Sequence, residues 1–168
     1  MNTSPEPLNL TELMNTYAPP LHRYAARLLR DTHAAADVVQ QVFLRLSQLP
    51  PAKHPAPAAT KSWLYRVTHN QAVDHIRSEQ RRRQAHETHA ERSHLDTAPS
   101  TEARIAIVLQ HVDQLDEKAR SVLLLRLQEG LSYQEISDIT GLSPGNVGYV
   151  LHHAVREVGE ALRREGQS

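Results

Sequence analysis

KSWLYRVTHNQAVDHIRSEQRRR, residues Lys61 to Arg83, is the stretch on which the fold turns. It holds no Gly and no Pro, and Trp63, Leu64, Val67, Val73 and Ile76 recur at mainly helical spacing. One face of a helix can therefore be buried. Ser62 is placed to cap its start. Arg77, Arg81, Arg82 and Arg83 crowd its end, where cations suit the negative pole of a helix dipole. Six basic residues (Lys61, Arg66 and those four arginines) against Asp74 and Glu79 give the stretch about +4. A rigid helix with one buried face and a positive end is a platform for a polyanion. A basic helix end standing alone is more often a solvated terminus, so the rest of the chain has to decide.

The whole chain of 168 residues balances 19 basic against 19 acidic residues, so any nucleic-acid partner must be met by local patches. Hydrophobic residues make up 39% and aromatics 4%, which leaves a core of Leu, Val, Ile and Ala and favours helices over a β-sandwich. The absence of Cys excludes disulfides, thiolate metal sites and a Cys nucleophile. No apolar run approaches the roughly 20 residues that span a bilayer. The first nine residues are polar, with Pro5 and Pro7, unlike a signal peptide. A soluble, cytoplasmic protein without membrane insertion is expected.

Upstream of the quoted stretch, Leu10 to Tyr17 reads as a short amphipathic helix that Pro19 and Pro20 should end. Leu21 to Arg30 resumes with Leu21, Tyr24, Ala25, Leu28 and Leu29 on one side, and Asp31 starts a turn or a new cap. Asp37 to Leu49 forms a third helix: Val38, Val39, Val42, Phe43 and Leu46 make the buried stripe, and Asp37, Gln40, Gln41 and Arg45 a polar face. Pro50 to Thr60 (PPAKHPAPAAT) reads as an extended surface loop.

Downstream, Gln84 to Thr101 is polar and reads as an interdomain linker. Its His86, His89 and His94 match no standard metal-site spacing, and no metal is assigned. A second domain follows, with Ile105, Val108, Leu109 and Val112 in phase, then a helix capped by Asp116 and ended by Gly130. Ser132 and Glu135 form a capping box, Gly141 supplies a turn, and Ser143-Pro144 starts another helix. Ile136, Ile139, Leu142, Val147 and Val150 supply apolar contacts, and the small Ser137 lets two helices cross. This is a helix-turn-helix. The chain is thus expected to be all-α, two small helical domains joined by a flexible linker, with the boundaries 1–83, 84–101 and 102–168. Such a second domain also suits a free-standing transcription regulator.

Trp63-Leu64-Tyr65-Arg66, Asn70, Asp74 and Ile76-Arg77 together resemble the promoter-melting, minus-ten-reading helix of the extracytoplasmic-function sigma factors, small members of the sigma-70 family. DVVQQVFLRL resembles their polymerase-clamp motif, and EGLSYQEISDITGLSPGNV their minus-thirty-five-reading domain. The resemblance covers roughly Tyr17 to Leu162. It implies binding to core RNA polymerase through Asp37, Gln40, Gln41 and Arg45. It implies contact with the minus-ten element through Lys53, His54, Lys61, Arg66, Asn70, Arg77, Arg81, Arg82 and Arg83. Asn70 can both donate and accept toward a base edge, and the arginines suit phosphates. The loop at Pro50 to Thr60 would help to hold a flipped base, whose extrusion costs a few kcal/mol. Minus-thirty-five contact is implied for Ser143, Gly145, Asn146, Tyr149, His152, His153 and Arg156 at the start of the last helix. Core RNA polymerase and promoter DNA are the partners implied; the family often adds an anti-sigma factor, and no cofactor is called for.

Two departures stand out. Gln41 occupies a position where the family usually has an acidic residue. Arg156 is the lone Lys or Arg on the reading face of the last helix, and residues 115–165 hold six basic against eight acidic residues. That surplus motivates a third reading, a polymerase-binding protein with weakened promoter reading. No nucleophile–base spacing or phosphate-cradling Gly loop suggests an enzyme.

Overall fold

The computed structural model describes residues 8–85 and 101–166. They form α1 (Leu10–Leu29), α2 (Thr32–Gln48), a 3-10 turn (Pro51–Lys53), α3 (Pro57–Ala85), α4 (Thr101–Gln114), α5 (Glu117–Leu127), α6 (Tyr133–Thr140) and α7 (Pro144–Glu165), with no strand among the described residues. The all-α class and the helix-turn-helix are as the sequence leads one to expect.

Three boundaries differ from expectation. First, α1 runs straight through Pro19 and Pro20. Each proline removes an intrahelical hydrogen bond and costs on the order of 3 kcal/mol. The offset is tertiary: Leu10, Leu13, Tyr17 and Ala18 before the prolines pack on the same core as Leu21, Tyr24 and Leu28 after them. Breaking the helix would unseat one set. Second, Asp31 is the cap of α2, accepting the His33 and Ala34 amides at 2.9 and 3.0 Å, so this helix starts at Thr32, five residues before Asp37. Those amides hold the Asp31 carboxyl below its usual range, Ala34 most. Third, the loop expected over Pro50 to Thr60 is partly helical. α3 starts at Pro57, where a proline's missing N–H is no loss. Ser62 is inside the helix and does not cap it, while Thr60 folds back onto the Ala56 carbonyl at 3.1 Å.

α1, α2 and α3 pack on each other around Leu21, Tyr24, Leu28, Val42, Leu46 and Leu64, all buried. Each such aliphatic side chain contributes roughly 1.5–3 kcal/mol. α5, α6 and α7 do the same around Val122, Leu125, Ile136 and Val147, with α4 laid against α7. In the helix-turn-helix, both halves of the Ser132–Glu135 capping box are made. Gly141 takes the left-handed conformation at φ 76°, which favours glycine. Ser137 does more than stay small: its hydroxyl donates to the Leu142 carbonyl at 2.6 Å and ties the turn. Gly148 lies close to α6: a Cβ there would sit 3.3 Å from the Tyr133 ring, which would have to give slightly.

The two bundles do not stand apart. α6 lies on α3 and α5 on α1, and one buried apolar cluster runs through both. Polar contacts sew the seam. Arg120 of α5 donates to the Leu28 carbonyl at 2.9 Å, at the end of α1 where helix carbonyls lack partners. It also donates to the Leu115 carbonyl at 3.0 Å. Arg27 meets Asp113 at 3.2 Å, and the Tyr65 hydroxyl donates to the Glu129 carboxylate.

Candidate nucleic-acid interface

The site is built on α3. Burial of Leu64, Tyr65, Thr68, Ala72 and Val73 fixes which way the helix faces. Arg66, Asn70, Asp74, Arg77 and Arg81 are then spaced four, four, three and four residues apart on another face, and all five are exposed. At 1.5 Å per residue this stripe is about 22 Å long. Asn70 and Asp74 share it as the spacing requires, and neither is held in a hydrogen bond or ion pair among the described residues, so the amide is available to a base edge. Arg82 pairs with Glu79 at 2.9 Å, one turn back and largely in solvent, where such a pair is worth little.

The loop before α3 comes close to its first turns: Pro55 lines one cleft of about 400 Å³ with Ser62, Trp63 and Arg66. Trp63 is half-buried, packed on the core on one side and lining this cleft on the other. Lys53 and Lys61 are exposed. His54 is half-buried, and its Nε2 has no hydrogen-bond partner among the described residues. Lys53 is in the 3-10 turn, away from the stripe in sequence and held by its own amide to Pro50.

Behind the stripe the helix is pinned by a polar pair that sequence reading did not single out. The Tyr24 hydroxyl of α1 lies 2.9 Å from His69 Nδ1, buried. Burial, aided by the Arg77 charge, lowers the His69 pKa from 6.5 to about 4, and burial raises that of Tyr24. A neutral ring accepting at Nδ1 from a protonated phenol fits both. A polar pair 45 residues apart leaves no local signal.

On α2, Asp37, Gln40, Gln41 and Arg45 are all exposed, over buried Val38, Val39, Val42 and Phe43. Two apolar neighbours were missed: Leu44 and Met14 are 46% and 44% exposed. Met14, Ala18, Pro19, Val39 and Phe43 line a shallow apolar groove between α1 and α2 that reaches Gln40. Only the α1–α2 crossing brings these together.

On α7, Ser143, Gly145, Asn146, Tyr149, His152, His153 and Arg156 are all exposed, with Val147, Leu151 and Ala154 buried behind them. Ser143 caps the helix by accepting the Asn146 amide at 3.2 Å. The Tyr149 and His153 rings are 4.2 Å apart between centroids and tilted by 52°, with His152 edge-on to His153. Arg156 bonds Glu160 at 2.8 Å. The lone arginine of this face is therefore already engaged by a carboxylate, and phosphate contact would have to compete with it. The exposed aromatic trio leaves this face largely without charged side chains.

Histidines 86, 89 and 94, and the linker around them, lie outside the described residues. Among the described residues no three His, Asp or Glu side chains cluster as metal ligands. No described helix is long and apolar enough to cross a membrane.

Comparison with known proteins agrees at each end of the chain. The model of sigma-70 region 2 matches residues 13–82, and that of sigma-70 region 4 matches residues 105–158. The chain is 30% identical over 158 residues to the extracytoplasmic-function RNA polymerase sigma factor SigL of Mycobacterium tuberculosis, spanning 92% of this chain and 89% of that one. It is 29% identical over 150 residues to the RNA polymerase sigma-H factor of Pseudomonas aeruginosa, over 82% and 77% of the two chains. The sigma factor RpoE of Bartonella quintana, solved in complex with the anti-sigma factor NepR, has the same fold: TM-score 0.78 at 18% identity, over 92% of this chain and 97% of that one.

Proposed function

Because the chain belongs to the extracytoplasmic-function sigma factors of the sigma-70 family, we propose that it binds core RNA polymerase and directs it to promoters. The observation that carries this is the exposed Arg66–Asn70–Asp74–Arg77–Arg81 face of α3 in the same chain as a helix-turn-helix with an open reading face. Residues 1–83 serve as the polymerase-binding and minus-ten domain, 84–101 as linker, and 102–168 as the minus-thirty-five domain.

In this reading Asp37, Gln40, Gln41 and Arg45 dock on the polymerase, and Leu44 and the neighbouring groove add apolar area. With Gln41 neutral, that docking leans on hydrogen bonds and apolar contact more than on charge. Asn70 reads an unpaired base. Arg66, Arg77 and Arg81 to Arg83 hold phosphates, and Lys53, His54 and Lys61 line the approach. The protein performs no chemistry: strand opening follows from trapping unpaired bases, and the polymerase makes the RNA. Its place of work is the cytoplasm, and an anti-sigma factor is a fitting restraint.

Engagement of Arg156 by Glu160, on a half with an acidic surplus, supports a narrower second reading: a polymerase-binding protein that reads the minus-thirty-five element weakly. Attached to polymerase, even a weak reader acts at high effective concentration.

The test is run-off transcription by core RNA polymerase on promoters selected from the chain's own genome. Initiation should depend on the protein and fall at least about fivefold with Asn70→Ala, as a lost base contact is worth about 1–3 kcal/mol. Polymerase binding without initiation at any promoter would favour the second reading. Absence of polymerase binding sinks both.

A further inference from the structure

One face of α1 is buried in the core, and the edge toward α2 lines the apolar groove. A third edge belongs to neither. Arg23, Arg27 and Arg30 follow one another along it at spacings of four and three, so they stand in one stripe. They line a cleft of about 860 Å³ whose far wall includes Leu109 and Asp113 of α4. That volume is typical of a small-molecule site, and it exceeds the clefts of about 520 and 400 Å³ beside α3.

A helix dipole favours cations in the last turn, which accounts for Arg27 and Arg30 at the end of α1. It does not account for Arg23, a full turn earlier. That side chain is exposed and makes no hydrogen bond or ion pair among the described residues. Two carboxylates line the cleft, and both are engaged. Asp31 accepts the amides that start α2, and Asp113 meets Arg27. Three guanidiniums against these two leave a positive surplus. Its reach shows at Arg120, whose pKa is lowered by burial first and by the Arg30 charge next. Arg30 also has a left-handed backbone, at φ 58°, alone among the described non-glycine residues. Glycine takes that conformation more easily, yet the residue that takes it here lines the cleft with a guanidinium.

We propose that this cleft binds a small polyphosphate anion, either free pyrophosphate or the phosphate tail of a nucleotide, on Arg23, Arg27 and Arg30. The planar fork of arginine offers paired donors to phosphate oxygens, and three such forks on one stripe suit linked phosphates better than a single one. Ala26 and Leu109 give the cleft an apolar part on which a nucleoside would rest. With α4 as its far wall, the cleft fits a small molecule and is no groove for duplex DNA. The site is separate from the α3 face and does not depend on promoter reading.

The test is isothermal titration calorimetry of the full chain with pyrophosphate and with ATP, at fixed ionic strength and without divalent cations. At least one probe should bind saturably, with Kd below about 1 mM. Tighter binding of ATP assigns the nucleotide; equal or weaker binding assigns the free anion. Arg23→Ala/Arg30→Gly removes two of the three arginines and gives the left-handed position the residue it favours. Affinity should fall at least about tenfold, because charge-assisted bonds to phosphate are the strong ones. Arg23→Ala alone, an exposed change that breaks no bond within the chain, should cost at least about threefold. The charge-matched pair Arg104→Ala/Arg163→Ala lies off the cleft and should bind like the native chain. No binding of either probe, full affinity in the cleft variants, or an equal fall in the control pair overturns the site.

Discussion

Acidification should weaken this fold largely through one side chain. His69 is buried between α1 and α3, and its pKa falls from 6.5 to about 4, chiefly through burial. In the unfolded chain the ring regains its ordinary value near 6.5. The folded value lies below the unfolded one, so between them the unfolded state holds more protons and stability rises with pH. The contribution is complete above about pH 6.5 and is lost as pH falls toward the folded pKa. At 1.36 kcal/mol per unit the full swing is about 3 kcal/mol, of which roughly 2 kcal/mol falls between about pH 7.5 and 5. Urea unfolding followed by far-UV circular dichroism at those two pH values measures it, provided the m-value is unchanged. The comparison is with His69→Gln, whose amide can still accept from the Tyr24 hydroxyl. The native chain should lose about 2 kcal/mol more on acidification than the variant does. The other ten histidines and all the carboxylates are common to both proteins, so an equal loss would refute the assignment of the effect to His69.

Three further outcomes follow from the seam and the turn. Tyr65→Phe removes the partner of a part-buried Glu129 carboxylate and should cost about 1–3 kcal/mol in chemical denaturation; an unchanged midpoint would mean that Glu129 simply turns to solvent. Arg120→Met leaves the Leu28 and Leu115 carbonyls without their donor and should cost on the order of 3 kcal/mol, read as a fall in urea midpoint. Gly148→Ala gains up to about 1 kcal/mol of helix propensity while pushing on the Tyr133 ring at 3.3 Å. Tyr133 is 42% exposed and can swing aside, so the thermal midpoint should rise, and rise further in a Tyr133→Ala background.

The parts that were legible in the sequence are those whose cause is local. Ser132, Glu135, Gly141, Ser143 and Pro144 each solve a problem within a few residues of themselves, and the helix-turn-helix forms where they place it. The outward faces of α2 and α7 followed from periodicity in the same way. Two of the three boundary differences share one origin. Proline reads locally as a breaker, yet Pro57 opens a helix, and at Pro19 and Pro20 the core on both sides outweighs the lost bonds. Least legible was the seam. Tyr65 and Glu129 are 64 residues apart, and Arg120 and Leu28 are 92 apart. An arginine donating to a distant backbone carbonyl has no signature in spacing or composition.

The bond from Arg120 to the Leu28 carbonyl also has a meaning in time. Its two ends are 92 residues apart, and ribosomes add roughly 5–20 residues per second. The end of α1 therefore waits on the order of 5–20 s for the side chain that will satisfy it. α6, made after Arg120, comes later still. Each newly made molecule thus passes through an interval in which its first bundle has emerged and the later half has not. A nascent chain and a finished one present different surfaces to the cell, and the order of synthesis alone makes the difference.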